Sequence, residues 1–288
     1  MFTGTYTAIV TPFNRDGSVD YGCFRALIEW QIASGVEGIV PVGTTGESPT
    51  LEWDEHLQVI AFAAETAAGR IKVIAGTGAN ATAEAIHLTR SVLKMGVDAT
   101  LQVTPYYNKP NQEGLFRHFS VVAVSVLNKV LYNVPGRSSR EIAVETVARL
   151  AAHPQIAAVK EAGGSVDRVS AIANACAITI LSGDDSLAVP MISVGAAGLI
   201  SVASNVAPRE VSDMVRAACA GDFRAAGAAH RRLYPLFRDL FIDTNPIPVK
   251  AALALLGRCE ETYRLPLCEP SSKVREQLGA TLRALHLV

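Results

Sequence analysis

IAAVKEAGG, residues 156–164, has the pattern of a short buried strand that ends in a lysine, a glutamate and two glycines. An unpaired ammonium group is strongly disfavoured in an apolar interior, so a lysine at the end of such a strand needs a partner or a function. The neighbouring stretches indicate which fold surrounds this strand.

Eight apolar runs rich in valine and isoleucine recur along the chain, separated by helix-like segments with apolar residues at three- and four-residue spacing. The runs are TAIVTPF, EGIVPVG, IKVIAGTG, ATLQVTPYY, KVLYNVP, IAAVKEAG, ITILSGDD and AGLISVASN. Residues 52–69 and 82–96 are two of the clearest helix-like segments. Apolar strands that alternate with helices indicate a parallel sheet covered on both faces.

Eight such units predict an α/β fold, a closed (β/α)8 TIM barrel, over residues 1–220. Residues 221–288 contain three further helix-like segments, at 221–241, 245–257 and 271–288. Since no low-complexity linker precedes them, we predict a C-terminal three-helix extension packed on the barrel.

Composition argues against several classes of protein. The chain has 288 residues, is 49% hydrophobic and carries a formal net charge of −1, so no basic stripe indicates a nucleic-acid partner. Its apolar stretches are shorter than the roughly 18 residues of a membrane span, and its first residues lack a signal-peptide pattern. The five cysteines and six histidines are scattered without metal-ligand spacing. We expect a cytoplasmic protein without a membrane partner or a bound metal.

The active groups of such barrels gather where the strands end at their C-terminal side. These strand ends carry residues 44–47 (TTGE), 76–78 (GTG), 106–108 (YYN), 132–133 (YN), 160–161 (KE), 183–185 (GDD) and Ser201. The set is rich in hydroxyl groups and includes Lys160, which is therefore predicted to lie at the mouth of the barrel.

Lys160 has two possible roles. A partly apolar pocket favours the neutral amine, which attacks carbonyl groups and forms Schiff bases. The alternative is a structural lysine paired with Glu161 or with another carboxylate at a strand end. Adjacent residues of a strand point to opposite faces, which argues against pairing with Glu161.

Tyr132 ends the preceding strand, so the barrel places it beside Lys160. A phenol there can shuttle protons during imine formation, although a core tyrosine with a satisfied hydroxyl is the alternative. The GTTGE turn at residues 43–47 offers backbone amides and hydroxyl groups that can hold a small carboxylate, or that simply cap the following helix.

The motifs GTTGES, IAGTGAN, VTPYYN, LYNVPGR, VKEAGG, SGDD and ISVASN, in this order, resemble the dihydrodipicolinate synthase and N-acetylneuraminate lyase family of class I aldolases. The resemblance is strongest to the synthase branch. It implies condensation of pyruvate with L-aspartate 4-semialdehyde, the committed step of diaminopimelate and lysine biosynthesis. It also implies that no cofactor is needed, because pyruvate is bound covalently as an imine.

The same resemblance implies roles for individual residues. Lys160 matches the Schiff-base lysine, Tyr132 the proton-relay tyrosine, Thr44 the hydroxyl between two tyrosines, and Tyr107 the second tyrosine, which the family lends across a dimer interface. The residues matched to substrate binding are Thr45 for the pyruvate carboxylate, Ile200 through its backbone carbonyl, Gly183 in the same wall, and Arg137 for the semialdehyde carboxylate. Ser138 stands where threonine is commoner, and it keeps the hydroxyl.

A regulatory site for L-lysine is implied as well, at the interface of a homo-oligomer that is a dimer of dimers. Its matching positions are Ser48, His56, Asn80, Glu84 and Tyr106. Pro49 and Trp53 depart from the family pattern, and the Trp53 ring could pack on a bound lysine or fill its cavity.

Three other interpretations are weighed against this one. GTGANA (76–81) satisfies a dinucleotide-binding pattern, but the next strand lacks the acidic residue that would bind the ribose. A 2-keto-3-deoxy sugar-acid aldolase or a sialate lyase would use the same imine with another aldehyde, although sialate-type relatives lack an arginine at the position of Arg137. A barrel that only binds ligands would leave the polar strand ends unexplained.

Overall fold

The computed structural model describes residues 2–123 and 127–288. Eight strands in these residues form one closed parallel barrel in sequential order, which confirms the predicted fold class. The strands are β1 (Gly4–Thr7), β2 (Gly38–Ile39), β3 (Lys72–Gly76), β4 (Ala99–Val103), β5 (Asn128–Asn133), β6 (Ile156–Glu161), β7 (Thr179–Ser182) and β8 (Gly198–Ser201).

Helices connect the strands on the outside of the barrel and continue beyond β8. They are α1 (Tyr21–Ser34), α2 (Trp53–Ala67), α3 (Thr82–Ser91), α4 (Gln112–Val122), α5 (Pro135–Ser138), α6 (Val144–Ala151), α7 (Val166–Ala175), α8 (Ala188–Ser193), α9 (Pro208–Cys219), α10 (Phe223–Asp239), α11 (Ile247–Leu255) and α12 (Ser272–Ala284). Asp20, Ser165 and Asp222 accept hydrogen bonds from first-turn amides of α1, α7 and α10, and these caps fix where the helices begin.

The first strand lies earlier in the chain than predicted. The expected run was residues 7–13, whereas β1 is Gly4–Thr7 and pairs with β8 from Gly4 to Thr7. At this seam the backbones approach closely, since a Cβ on Gly198 would lie 2.2 Å from the carbonyl oxygen of Gly4. The apolar run is buried for another reason: the Val10 amide donates to Asn205 Oδ1 at 3.2 Å, in a loop that packs near β8.

Side chains alternate between two apolar layers. The inner layer fills the barrel and includes Tyr6, Ile74, Leu101, Val130, Tyr132, Ala158, Leu181 and Ile200. The outer layer lies between the sheet and its helices and includes Val159 on β6. Because Ala158 points inward and Val159 outward, the next two residues of β6, Lys160 and Glu161, follow the same alternation.

The helices after residue 220 pack on the barrel's outer helices and on each other: α10 lies against α9 and α12, and α11 lies against α12. The division of the chain at residue 220 stays a prediction. Within the part of the chain that the structure describes, every helix is too short or too polar to cross a bilayer.

Candidate active site

Lys160 lies at the C-terminal end of β6 and is 6% exposed. It is directly opposite Tyr132 in the β5–β6 register, and its Nζ lies 4.1 Å from the centroid of the Tyr132 ring. The electron-rich face of the ring attracts a cation and offers an apolar wall to a neutral amine. The structure therefore brings together the two residues that the sequence predicts as nucleophile and proton relay.

Glu161 lies on the other face of β6 and does not pair with Lys160. Its fully buried carboxylate accepts hydrogen bonds from Arg168 Nε at 2.8 Å and from Asn133 Nδ2 at 2.8 Å. The Gly163 amide donates to the same carboxylate at 2.8 Å. With Glu161 held by these three donors, the alternative of a structural Lys160–Glu161 pair is wrong.

Gly183 provides the space beside the lysine. A Cβ at this position would lie 2.5 Å from Cβ of Ala162 and 3.0 Å from Cε of Lys160, so a larger residue would push the lysine side chain away. Ile200 is fully buried in β8, and its side chain belongs to the inner apolar layer with that of Tyr132.

The GTTGE turn follows β2 and is tightly folded. The Gly46 amide donates to the Gly43 carbonyl at 3.1 Å, and the Glu47 amide donates to the Thr44 carbonyl at 3.1 Å. Val42, just before the turn, has φ 50°, a left-handed conformation that is strained for a β-branched residue. Such strain persists only where the surrounding structure holds the backbone in place.

Asn245, just before α11, links two of the predicted substrate-binding residues. Its Nδ2 donates to Thr45 Oγ1 at 3.0 Å, and its carbonyl accepts from Arg137 Nη2 at 2.9 Å. Sequence reasoning missed Asn245, although the NPIP break marks this segment as a turn next to a helix. The residue fixes where Thr45 and Arg137 stand relative to each other.

Lys250 and Glu47 form a second link between the C-terminal helices and the turn. Lys250 Nζ lies 2.5 Å from Glu47 Oε1, and neither side chain is exposed to solvent. The ammonium also lies 4.2 Å from the centroid of the Phe13 ring. Sequence reasoning missed this pair as well, and its signal was a lysine within the otherwise apolar helix α11.

Two adjoining cavities open at the C-terminal ends of the strands. The larger, of about 620 Å³, is lined by residues that include Thr45, Tyr132, Arg137, Lys160 and Gly183. The smaller, of about 230 Å³, shares Tyr132 and Arg137 with it, and its lining also includes Thr44, Ser48 and Tyr106. The predicted catalytic and substrate-binding residues therefore surround one continuous region at the barrel mouth, apart from Tyr107 and the side chain of Ile200.

Tyr107 projects away from its own barrel. Its side chain is 91% exposed and its φ is 69°, and it lines neither cavity in the described part of the chain. Within one chain, Thr44 and Tyr132 lie together and Tyr107 stands apart.

The positions predicted for a lysine effector lie next to the smaller cavity. Ser48 and Tyr106 line it, and Asn80 Nδ2 donates to the Tyr106 carbonyl at 3.3 Å. Burial raises the pKa of Tyr106, and the Glu84 carboxylate adds to this increase. His56 is buried with its Nε2 2.8 Å from the Gly76 carbonyl oxygen, and burial lowers its pKa.

Trp53 is half-exposed and packs against His87, with ring centroids 5.2 Å apart. It is not among the residues that line the smaller cavity in the described part of the chain.

The adjacent aspartates after β7 have different surroundings. Asp185 is buried and accepts hydrogen bonds from the Ser201 hydroxyl and from the Val202 and Ala203 amides. Asp184 lines the larger cavity. Burial raises its pKa to about 6, and the charge of Lys160 opposes the increase. Among the described residues, no three His, Cys, Asp or Glu side chains lie close enough to hold a metal ion.

Known proteins are similar to this chain over its whole length. The model of the Dihydrodipicolinate synthetase family matches residues 1–285. A 4-hydroxy-tetrahydrodipicolinate synthase from Thermodesulfovibrio yellowstonii is 48% identical over 291 aligned residues, which cover 100% of this chain and 100% of the relative.

Two solved structures are similar over the whole chain. One is a chloride-inhibited dihydrodipicolinate synthase from Acinetobacter baumannii complexed with pyruvate, with 43% identity, a TM-score of 0.98, and 100% of each chain covered. The other is a DHDPS from Cyanidioschyzon merolae with lysine bound, with 40% identity, a TM-score of 0.97, and 100% of this chain and 99% of the other covered.

Proposed function

Because the chain belongs to the Dihydrodipicolinate synthetase family, we propose that it condenses pyruvate with L-aspartate 4-semialdehyde, the 4-hydroxy-tetrahydrodipicolinate synthase reaction. The chain is an enzyme of the lyase class and acts in diaminopimelate and lysine biosynthesis. The observation that carries the proposal is the buried Lys160 at the end of β6, with its Nζ 4.1 Å from the Tyr132 ring and with Thr45 and Arg137 around the same cavity.

The first half of the reaction activates pyruvate on Lys160. The neutral amine adds to the ketone carbon of pyruvate, and loss of water from the resulting carbinolamine gives an imine. Tyr132 supplies the proton that the leaving hydroxide needs, and Thr44 connects the phenol to a further proton donor. The Tyr132 phenolate then takes a proton from the pyruvate methyl group, which gives an enamine whose terminal carbon is nucleophilic.

Thr45 orients pyruvate by binding the pyruvate carboxylate. The Thr45 hydroxyl already accepts a hydrogen bond from Asn245 Nδ2, so the proton of this hydroxyl remains available for the carboxylate. Gly183 leaves room for the substrate beside Lys160, and the backbone of Ile200 completes the wall.

The second half of the reaction joins the two substrates. The enamine carbon attacks the aldehyde carbon of the semialdehyde, whose oxygen takes up a proton. The ammonium group of the bound semialdehyde loses a proton to solvent, and the resulting amine adds to the imine carbon. A proton then passes from the added nitrogen to the Lys160 nitrogen, which leaves as the free amine, so that the ring is closed as a cyclic imine and the enzyme is released. Arg137 holds the semialdehyde carboxylate with its planar guanidinium, which the Asn245 carbonyl orients. Lys160 supplies the electrophilic activation, so this mechanism uses no added cofactor.

Borohydride trapping tests the proposal. Reduction in the presence of pyruvate should fix an irreversible adduct on the peptide that contains Lys160, as read by peptide mass mapping. Lys160→Ala and Lys160→Arg should lose the adduct and nearly all activity, since a guanidinium cannot serve as the amine. Lys109→Ala is the matched control because Lys109 is exposed on a loop. An adduct on Lys109 or Lys250 would contradict the assignment.

A coupled assay with several aldehydes identifies the second substrate. We expect turnover of aspartate 4-semialdehyde to exceed turnover of glyceraldehyde or N-acetylmannosamine by orders of magnitude. Of these three aldehydes, only aspartate 4-semialdehyde carries a carboxylate, a short chain away from the aldehyde carbon, that Arg137 can bind. A preference for a sugar aldehyde would replace the proposed reaction with that of a sugar-acid aldolase or a sialate lyase.

We also propose that L-lysine inhibits the enzyme at the positions Ser48, His56, Asn80, Glu84 and Tyr106. The Glu84 carboxylate acts on the Tyr106 phenol, and the Asn80 amide donates to the Tyr106 backbone carbonyl, so a carboxylate and an amide are available to an amino acid with a charged side chain. The effect would reach the relay through Tyr106, which directly precedes Tyr107 in the chain and lines the same cavity as Tyr132. L-lysine titrated into the assay should lower the rate, and Glu84→Ala should weaken the inhibition. Unchanged rates at millimolar lysine, with no heat of binding, would contradict this proposal.

The proposed assembly is a homo-oligomer, a dimer of dimers. The exposed Tyr107 supports it, because a phenol that projects from one barrel can complete the relay of a second copy. Sedimentation at assay concentrations would test it, and a fully active monomer would contradict it.

A further inference from the structure

Cys23 and Cys259 lie beside each other although they are far apart in the chain. Cys23 is in the first turn of α1, and its Sγ donates to the Arg258 carbonyl at 3.2 Å. Cys259 is the next residue after Arg258, in the segment that follows α11. The two thiols are close enough for each to act on the ionisation of the other. The fold therefore brings together two thiols whose proximity no local sequence pattern indicates.

The surrounding contacts hold both cysteines in this position. The Cys23 amide donates to Asp20 Oδ1 at 2.9 Å, and the Arg258 guanidinium lies over the Trp30 ring of α1, with its Cζ 4.2 Å from the ring centroid. Both cysteines pack against the outer apolar layer, and both are partly exposed. A small solute can therefore reach two thiols that the native structure keeps next to each other.

The two thiols differ in how readily they ionise. A hydrogen bond from the Cys259 thiol lowers the pKa of Cys23, and the Lys250 ammonium lowers it further, against the opposing effect of burial. The hydrogen bond to Cys23 raises the pKa of Cys259, and burial adds to the increase. Because the thiolate is the nucleophile, Cys23 is the residue that would attack an oxidant first, with Cys259 placed to react with the product.

Two other uses of the pair are less well supported. Structural zinc sites take four ligands, and among the described residues no three His, Cys, Asp or Glu side chains are grouped so that they could hold a metal ion. Cysteines that only fill space are buried in apolar surroundings, which keeps them as inert thiols. Cys23 differs from these, since it is partly exposed and lies near a lysine.

We propose that Cys23 and Cys259 form a reversible disulfide when the enzyme is exposed to a peroxide, and that this bond joins α1 to the segment after α11. The Cys23 thiolate attacks one oxygen of hydrogen peroxide, so an S–O bond forms, the O–O bond breaks, and the released hydroxide takes up a proton to give water. The Cys259 sulfur then attacks the sulfenic sulfur of Cys23. An S–S bond forms, the S–O bond breaks, and the departing hydroxide takes the proton of the Cys259 thiol. Two thiols and one hydrogen peroxide thereby give one disulfide and two water molecules.

The segment that carries Cys259 also contacts the GTTGE turn. The Arg264 amide donates to Glu47 Oε2 at 3.3 Å, and the Tyr263 hydroxyl donates to the Ile247 carbonyl at 2.9 Å. A disulfide would fasten this segment to α1 and close a long loop in the unfolded chain, which stabilises the native fold. Thiol reductants would reverse the bond, so in a reducing compartment it would form only under oxidative conditions.

Peroxide treatment of the full-length enzyme, followed by alkylation and peptide mass mapping without reductant, tests the proposal. The wild-type enzyme should give a pair of peptides joined through Cys23 and Cys259, which dithiothreitol separates. Its unfolding temperature should rise by about 5–10 °C on oxidation, as expected for a disulfide that closes a long loop. Cys268→Ser removes an exposed cysteine and is the matched control, which should behave like wild type in both measurements.

Two single variants test the order of the steps. In Cys259→Ser, oxidation should stop at the sulfenic acid of Cys23, which dimedone labels, and the unfolding temperature should not rise. In Cys23→Ser, dimedone should label Cys259 at least about tenfold more slowly, because a thiol with a raised pKa is a poor nucleophile.

Three results would overturn the inference. They are the absence of the joined peptides from oxidised wild type, faster labelling of Cys259 than of Cys23 in the single variants, and a fall in the unfolding temperature on oxidation. Disulfides found only between chains, through Cys219 or Cys268, would overturn it as well. These measurements do not depend on turnover, so they are independent of the proposed reaction.

Discussion

Replacing Lys250 with methionine would leave the Glu47 carboxylate buried without its cationic partner. The two groups are 2.5 Å apart and fully shielded from solvent, so water cannot take over the lost interaction. The Arg264 amide, 3.3 Å from the other carboxylate oxygen, is the remaining donor given by the structure. Breaking a buried pair from one side typically costs about 3–5 kcal/mol. For a chain of this size, such a loss corresponds to a fall in Tm on the order of 10 °C.

Thermal unfolding followed by circular dichroism, together with guanidinium unfolding at the same pH, would measure the change. The double variant Glu47→Gln, Lys250→Met is the matched control, because it removes both charges and keeps similar volumes. Replacing both members of a buried pair with neutral groups is often nearly neutral, so we expect it to recover most of the lost stability. Glu47 has φ 55°, and glutamine adopts this left-handed conformation at no greater cost than glutamate, so the substitution adds no backbone strain.

Lys250→Met should change the KM for pyruvate more than the KM for the semialdehyde. Glu47 ends the turn that positions Thr44 and Thr45, so an unpaired Glu47 should raise the KM for pyruvate. A loss of stability below about 1 kcal/mol in Lys250→Met would refute the reasoning, because it would mean that the site admits water or relaxes freely. A double variant as unstable as the single one would refute it as well.

Two further predictions concern the cavity itself. Arg137→Ala should raise the KM for aspartate 4-semialdehyde about 10- to 150-fold, because it removes a charge-assisted contact worth about 1.5–3 kcal/mol. The KM for pyruvate should change little. Equal changes in the two KM values would mean that Arg137 is only a structural partner of Asn245. Tyr132→Phe and Tyr107→Phe should each lower kcat by about 10²–10⁴-fold. The double variant should lower kcat by less than the product of the two single factors, because both residues act in one relay. A loss equal to that product would mean that Tyr107 acts outside the relay.

The strands and their polar ends were predictable because their signals are local. Parallel strands buried on both faces are read from short apolar runs, and the alternation of side chains placed Lys160 inside the barrel and Glu161 outside. The first strand was misplaced because Gly4–Thr7 is short and polar, whereas the apolar run after it is buried in a loop.

The contacts between the turn and the C-terminal helices could not be predicted from local patterns. Asn245 bonds to Thr45, 200 residues earlier in the chain, and Lys250 bonds to Glu47, 203 residues earlier. A lysine in an apolar helix signals that a partner exists, but only the closed barrel identifies that partner.

These distant contacts explain how the turn keeps an unfavourable backbone. Val42 has a left-handed conformation that costs on the order of 1–3 kcal/mol. Gly76 permits it, since a Cβ there would lie 2.3 Å from the Val42 carbonyl oxygen. The Glu47–Lys250 pair and the Thr45–Asn245 hydrogen bond hold the other end of the turn to the segment around α11. The C-terminal helices therefore stabilise the backbone that presents Thr44 and Thr45 to the cavity, and a change in their packing should alter substrate binding without touching Lys160.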